Sequence, residues 1–367
     1  MITVTRPSLP PLQDLIPLLE QMWDTRILSN GGAFHQELES RLSEYLGLPH
    51  LSLFCNATIA LMVAQKALCV AGDVITTPYS FAATAHAIAW SGNNPVFCDV
   101  DPETLCLDPR GIGPLLTEST SAIMPLHCYG RTCQVDAIRE AAEKNQLSVI
   151  YDACHSFAVF DAGGSVLRYG DMAVVSFHAT KVFNTFEGGL LVSSTAEQKQ
   201  QVDRLKNFGF VSETEVSDIG INGKMSELNA AIGLLQLDYL QEAVKKRSAV
   251  DAFYREYLTG IRGLNMMAYE AAEQRNFAYF PIFITEEFPV SRDALYEHLK
   301  AHGIYARRYF YPLIPDYEAY QRPECTAMPE LRNARLAAQQ VLCLPLYPDL
   351  TQPELKGIVQ LISNPGL

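Results

Sequence analysis

The sequence has no run of about 18 apolar residues, the length a membrane-spanning helix needs. Its nearest approach, "LSLFCNATIALMVAQKALCVAG" at 51–72, is interrupted by Asn56, Gln65 and Lys66 and reads as a buried strand followed by a helix. The first residues, "MITVTRPSLPPLQD", lack the basic-then-apolar pattern of a secretory signal. No basic run occurs anywhere, and the net charge is −13 over 367 residues, which excludes an electrostatic nucleic-acid surface. Any anionic substrate must therefore be held by local positive groups against the charge of the whole molecule. The nine cysteines are odd in number and form no Cys-x-x-Cys pair. That distribution fits reduced, buried thiols in a cytoplasm and argues against a disulfide framework or a zinc site. Repeats and low-complexity segments are also missing.

What is present is a 48% hydrophobic chain, enough for a large core and more than one domain. Short apolar runs at 51–55, 73–77, 95–100, 121–126, 147–152, 173–177 and 190–194 predict strands. Helical patterns at 58–70, 80–91, 133–145 and 195–207 lie between them. Strands that are apolar throughout and separated by helices predict an α/β fold with a large, mostly parallel sheet covered on both faces. A long helix is expected over about 224–258. The last hundred residues, with "FAYFPIFI" (277–284), a helix near 291–302, "GIYARRYFYP" and "VLCLPLYP", predict a smaller α+β domain. The division falls at 1–245, with an N-terminal arm, and 246–367.

In an open α/β sheet, ligands bind beyond the carboxyl ends of the strands, so the residues at those ends carry most information. "YDACHSFA" puts Asp152 at the end of a buried run, where a carboxylate needs a partner; taken alone, it reads equally well as a helix cap. "SFHATKVFNT" puts Lys181 just past another strand; taken alone, it reads as a solvated loop charge. Together the two suggest pyridoxal phosphate, which takes a lysine as a Schiff base and an acid against its pyridine nitrogen. "CNATIAL" offers Asn56, Ala57 and Thr58 as a strand-to-helix turn with free N–H groups for a phosphate, although Asn or Thr is also an ordinary N-cap. Ser176 adds a hydroxyl on the same edge, and Phe81 an apolar face for a ring or simply core packing.

"FCNATIAL", "DVITTPYSFAATAHAI", "PVFCDVDPETLCLD", "MPLHCYG", "VIYDACHSFA", "GDMAVVSFHATKVFNTFEGGLLV" and "GINGKMSELNAAIGLLQLDYL" occur in this order. From about residue 5 to the C-terminus they resemble the DegT/DnrJ/EryC1/StrS aminotransferases, pyridoxal-phosphate enzymes that aminate nucleotide-linked keto sugars. The resemblance implies the aspartate aminotransferase-like fold type I. It makes Lys181 the Schiff-base lysine and Asp152 the pyridinium partner. It places Ala57, Thr58 and Ser176 at the phosphate, Phe81 against the ring, and His155 near the ring hydroxyl. Asn222 matches an asparagine given to the neighbouring subunit's phosphate site, which implies a homodimer with composite sites. Two departures are visible: Asn-Ala-Thr stands where many members have Ser-Gly-Thr, and Gly223-Lys224 where Tyr-Arg or Phe-Arg is frequent.

The same resemblance implies L-glutamate as amino donor, with Lys181 moving the proton as base and then acid. "SFHATKVFNTFEGG" is most similar to the branch that aminates C4, so a dTDP-4-keto-6-deoxyhexose is the expected substrate, serving surface-polysaccharide or secondary-metabolite glycosylation. Amination at C3, a UDP- or GDP-sugar, and a non-catalytic regulator of the same fold are the alternatives. Relatives with dehydratase activity carry histidine in place of the lysine, and a desulfurase needs an acceptor cysteine on a loop; Lys181 and strand- or helix-borne cysteines disfavour both. Arg307, Arg308, Tyr309 and Tyr311 in "YARRYFYP" are candidates for holding the nucleotide, or form a solvated strand face. His127 and His178 read as packing residues. No metal, nucleic acid or membrane is expected.

Overall fold

The computed structural model describes residues 1–269, 274–321 and 330–365. Among these, seven strands form the central sheet: Leu51–Phe54 (β1), Asp73–Thr76 (β2), Asn94–Phe97 (β3), Thr120–Met124 (β4), Ser148–Asp152 (β5), Met172–Ser176 (β6) and Gly189–Ser193 (β7). Each lies on one of the seven apolar runs. β3 stops at Phe97, short of residue 100, where Asp99 turns its carboxylate to the amides of Asn333 and Ala334, both at 2.9 Å.

The strand order is β1-β7-β6-β5-β4-β2-β3. Neighbours run parallel except β7, which is antiparallel to β1 and to β6. Successive side chains of a strand point to opposite faces, and both faces here are covered. Ala173 and Val175 of β6 enter one core while Met172 and Val174 enter another. That two-sided burial is why the strands are apolar without alternation. Helices Ala57–Ala67, Ala83–Trp90, Val135–Asn145 and Ala196–Leu205 connect and cover them. Two N-terminal helices that periodicity did not single out, Leu12–Thr25 and Ala33–Leu46, pack on the long helix.

The long helix is Glu227–Leu258, starting three residues later than expected because Ser226 caps it, its Oγ accepting the Asn229 N–H at 3.2 Å. Ala230, Ala231, Leu234 and Leu240 on this helix are buried in the core of the central sheet. Val250, Tyr254 and Leu258 are buried in a second core. That second core belongs to the antiparallel sheet Leu264–Met266, Phe280–Ile284 and Val341–Leu344, with helices Arg292–Ala301 and Gln352–Ser363. The amino-terminal strand Ile2–Thr3 pairs in parallel with Ile304–Tyr305, so the chain's start is tied to this second unit. The C-terminal region read as 246–367 includes residues 270–273, 322–329 and 366–367, which lie outside the described residues. Among the described residues, no helix is long and apolar enough to cross a membrane, and no cluster of His, Cys, Asp or Glu has the makings of a metal site.

Candidate active site

β1, β5 and β6 point the same way, so their carboxyl ends share one edge of the sheet. Asp152, the last residue of β5, is buried. Its Oδ2 accepts the Thr84 hydroxyl at 2.6 Å and its Oδ1 the Cys154 N–H at 3.1 Å. Thr84 Oγ1 is in turn 2.6 Å from Ser80 Oγ, which completes a short chain of hydroxyls ending on the carboxylate. Thr84 has one hydroxyl proton and gives it to Asp152, so Ser80 is the donor in the second bond.

The chain leaves β6 at Ser176, whose Oγ accepts the His178 N–H at 3.3 Å, and turns back so that the Lys181 N–H reaches the His178 carbonyl at 2.9 Å. Lys181 Nζ then donates to Tyr279 Oη at 3.2 Å and lies 5.8 Å from the centre of that ring. Burial disfavours the Lys181 ammonium. Tyr279, Cys154 and, more weakly, Asp152 favour it, and the balance lies above the ordinary lysine value.

His155 follows β5 and is buried in a stack of rings, with Phe310 at 5.9 Å and 4° and Tyr129 at 6.4 Å and 11°. Its Nδ1 accepts the Tyr129 N–H at 3.2 Å, which places the ring proton on Nε2. Burial, aided by the charge of Lys181, holds the imidazole far below its usual range, so it is neutral. Phe310 and Tyr309 come from the second unit. The Tyr309 carbonyl accepts Tyr79 Oη at 3.0 Å and also the Tyr129 hydroxyl.

The turn after β1 is capped by Asn56, whose Oδ1 accepts the Ile59 N–H at 2.9 Å. The amides of Ala57 and Thr58 lie in the first turn of the helix, where no intrahelical carbonyl is available to them. Gly189 of β7 faces this turn, and a Cβ there would come within 2.8 Å of the Ala57 nitrogen. The cradle therefore depends on a missing side chain. The Cys55 N–H donates to the Gly223 carbonyl at 2.8 Å, which lays the "INGK" segment alongside the same turn. Asn222 is exposed there. Lys224, the unusual residue, donates to Asn207 Oδ1 at 2.9 Å and covers the Phe208 ring at 4.7 Å.

Phe81, just before helix Ala83–Trp90, is 64% exposed. Of the four rim candidates, Tyr309 comes closest to the lysine, packing edge-on against Tyr279 at 6.1 Å. Burial raises its phenol above the usual range, against the charges of Arg307 and Lys181. Arg307 is exposed, with its backbone paired to Cys343. Arg308 and Tyr311 are drawn into another cluster. Arg308 Nη1 donates to Asp293 at 2.8 Å and its guanidinium lies over Tyr296 at 4.6 Å, while Tyr311 packs under Arg292 at 4.8 Å. His127 stacks on Tyr151 at 4.6 Å with its pKa lowered to about 3 by burial; His178 is exposed and bonds Thr180 Oγ1 at 2.8 Å. Sequence reasoning missed Thr84 and Tyr279. Thr84 lay inside a helical run, and Tyr279 inside an apolar strand-like run.

These residues fit pyridoxal phosphate. Among the described residues, Asp152 takes hydrogen bonds from neutral donors only, and a buried carboxylate of that kind calls for a cation such as a protonated pyridine. The open amides beside Gly189 fit a phosphate, and Lys181 Nζ is bonded to Tyr279 of the second unit. The mostly parallel sheet with one antiparallel strand, the switch from long helix to antiparallel sheet, and this donor set define a pyridoxal-phosphate-dependent transferase of fold type I.

Residues 13–363 match the DegT/DnrJ/EryC1/StrS aminotransferase family, and the chain belongs to it. It is 51% identical over 363 residues to the dTDP-4-amino-4,6-dideoxy-D-glucose transaminase of Shigella dysenteriae, covering 99% of this chain and 98% of that protein. A protein of the same description from Escherichia coli is 45% identical, with 98% of each covered. Among solved structures, DesI in the presence of its TDP-sugar product superposes with a TM-score of 0.94 at 34% identity, covering 99% of this chain and 92% of that one. The protein is a pyridoxal-phosphate-dependent sugar aminotransferase.

Proposed function

We propose that this enzyme transfers the amino group of L-glutamate to a dTDP-linked 4-keto-6-deoxyhexose, giving a dTDP-4-amino-4,6-dideoxyhexose. The observation that carries this reading is the 51% identity, over nearly all of both chains, to the Shigella dysenteriae dTDP-4-amino-4,6-dideoxy-D-glucose transaminase. Pyridoxal phosphate, when bound, supplies the electron sink for the carbanion left when a proton is taken from the donor's α-carbon.

The roles assigned to the chain's residues rest on the family resemblance, supported by the hydrogen bonds of Asp152, His155 and Lys181. Asp152 keeps the pyridine nitrogen protonated, and Thr84 orients the carboxylate for it. Ala57, Thr58 and Ser176 hold the phosphate, Phe81 covers one face of the ring, and neutral His155 offers Nε2–H to the ring hydroxyl. Lys181 Nζ takes the proton from the donor's α-carbon as base and later delivers one to the sugar C4 as acid. Arg307 and Tyr309 meet the nucleotide diphosphate. Arg308 and Tyr311 contribute from further out, because Asp293, shared with Arg292, already engages that guanidinium.

The active unit in this reading is a homodimer with Asn222 serving the partner's phosphate. Trp23, Ile27, Leu28, Phe208, Phe210 and Ile219 leave apolar surface exposed on the N-terminal helix, on the segment just after it and on the 208–222 loop that carries Asn222, as a two-fold interface requires. Incubation with glutamate and dTDP-4-keto-6-deoxyglucose, followed by NMR location of the new nitrogen, tests the reaction. A nitrogen at C3, or turnover only with the 3-keto isomer or with UDP- or GDP-sugars, overturns it; sedimentation of a fully active monomer overturns the dimer.

A further inference from the structure

Tyr279 belongs to none of the motifs on the sheet edge, yet it is the residue that Lys181 Nζ touches. Its ring is wedged among His155 at 4.6 Å, Tyr129 at 5.5 Å and Tyr309 at 6.1 Å. Behind it lies Arg247, a buried guanidinium from the long helix. Arg247 Nη1 donates to the carbonyls of Leu346 at 3.0 Å and Phe277 at 3.5 Å, and its charge acts on the Tyr279 hydroxyl. The rings on several sides confine the phenol, and Arg247 is itself anchored to backbone carbonyls.

A lysine that acts as a base must spend part of each turnover as a free amine on a flexible four-carbon stem, and confining it costs rotamer freedom. A hydroxyl suits both of its charge states. It accepts from the ammonium and donates to the neutral amine, which a carboxylate or a carbonyl cannot do. The other groups facing Lys181 are Asp152 at the end of β5, Cys154 and His155 from the turn after it, and Tyr309 from the second unit. Among the described residues, only Tyr279 bonds Nζ directly.

We infer that Tyr279 is a positioning residue for Lys181: its hydroxyl holds the free amine beside the reacting carbon in both charge states. It does so from the second unit, so the base is assembled only when the two units are packed together. The inference rests on the aminotransferase reading above. Removing the hydroxyl takes an acceptor from the ammonium, so the pKa of Lys181 falls and the fraction of free but unplaced amine rises.

The test uses the holoenzyme with excess L-glutamate, which leaves Lys181 free. Competitive acetylation of Lys181, read by mass spectrometry across pH, is measured alongside kcat and KM. For Tyr279→Phe the expected result is normal cofactor content, kcat lower by about tenfold to a hundredfold, KM for the sugar nucleotide within about threefold, and an acetylation midpoint moved to lower pH. An unchanged kcat together with an unchanged midpoint overturns the inference. Should Tyr279→Phe fail to fold, Tyr279→His, which restores a group that donates and accepts, is expected to keep the midpoint near its original value; a midpoint that drops in that variant overturns it as well. If the visible band of the unmutated protein does not respond to glutamate, it is glutamate as the donor that falls; the protein loaded with pyridoxamine phosphate, which forms no imine with Lys181, then carries the acetylation measurement and still reports on Tyr279.

Discussion

On the sheet edge, Asp152 and Ser176 are the last residues of β5 and β6, and ladder hydrogen bonds fix where their side chains begin. On the wall opposite, Tyr279, Tyr309 and Phe310 lie outside regular strands, and ring packing holds them instead. In the proposed mechanism the edge supplies groups whose chemistry admits no substitute, a lysine and a carboxylate. The wall supplies groups that place and enclose them. Loss on the edge should therefore stop the reaction, and loss on the wall should slow it.

The largest effect is expected from Lys181→Ala. Turnover should fall by roughly four orders of magnitude or more, as for removal of a group that is both nucleophile and base, and borohydride should no longer fix the cofactor to the chain. Covalent labelling that persists would remove Lys181 from its place on the edge. Next comes Asp152→Asn, which keeps shape and loses charge: a fall of about a hundredfold to a thousandfold in turnover, with cofactor affinity much less affected. Unchanged turnover there would erase the distinction between edge and wall.

A smaller effect separates the two arginines of the wall. Arg307→Ala should raise the KM for the sugar nucleotide about tenfold, in the range for a charged hydrogen bond. Arg308→Ala should raise it no more than about threefold, since Asp293 already holds that guanidinium. Equal effects in steady-state kinetics would show that the rim acts as one patch.

The smallest effect concerns stability. His127 is held neutral down to about pH 3 by burial, and His35 down to about 4 by burial and by Lys206. An unfolded histidine titrates near 6.5, so stability is fully present above that pH and is lost as pH falls toward the folded value, by about 1.4 kcal/mol per pH unit for each such group. Urea unfolding of His127→Gln between about pH 6.5 and 5 should show a slope smaller by that amount. An identical slope would mean that His127 does not stay neutral in the fold.

The edge was legible in the sequence because each of its residues closes a short apolar run, and a run that ends in Asp or leads into Lys announces a strand end with chemistry on it. The seven strands were legible for the same reason. The wall was less so. Tyr279 sits in "FAYFPIFI", where an aromatic among apolar neighbours reads as core, and its partner Lys181 is nearly a hundred residues away. Thr84 was hidden in a helical run, where a hydroxyl facing a buried carboxylate looks like any other helix threonine. The N-terminal helices escaped because Leu12–Thr25 contains Pro17 and carries exposed apolar residues such as Ile16, so its pattern does not follow a single buried face.

The helix Glu227–Leu258 has a consequence for how the molecule comes apart. At about 1.5 Å per residue, its 32 residues run for some 48 Å through both hydrophobic cores. Neither core can melt without stripping apolar side chains from a rod that the other still grips, so the two units are expected to unfold in a single transition. The same rod carries Arg247 to the back of Tyr279. A cavity made in the far core would thus be felt at Lys181 by way of Arg247 and Tyr279, without touching any residue of the sheet edge.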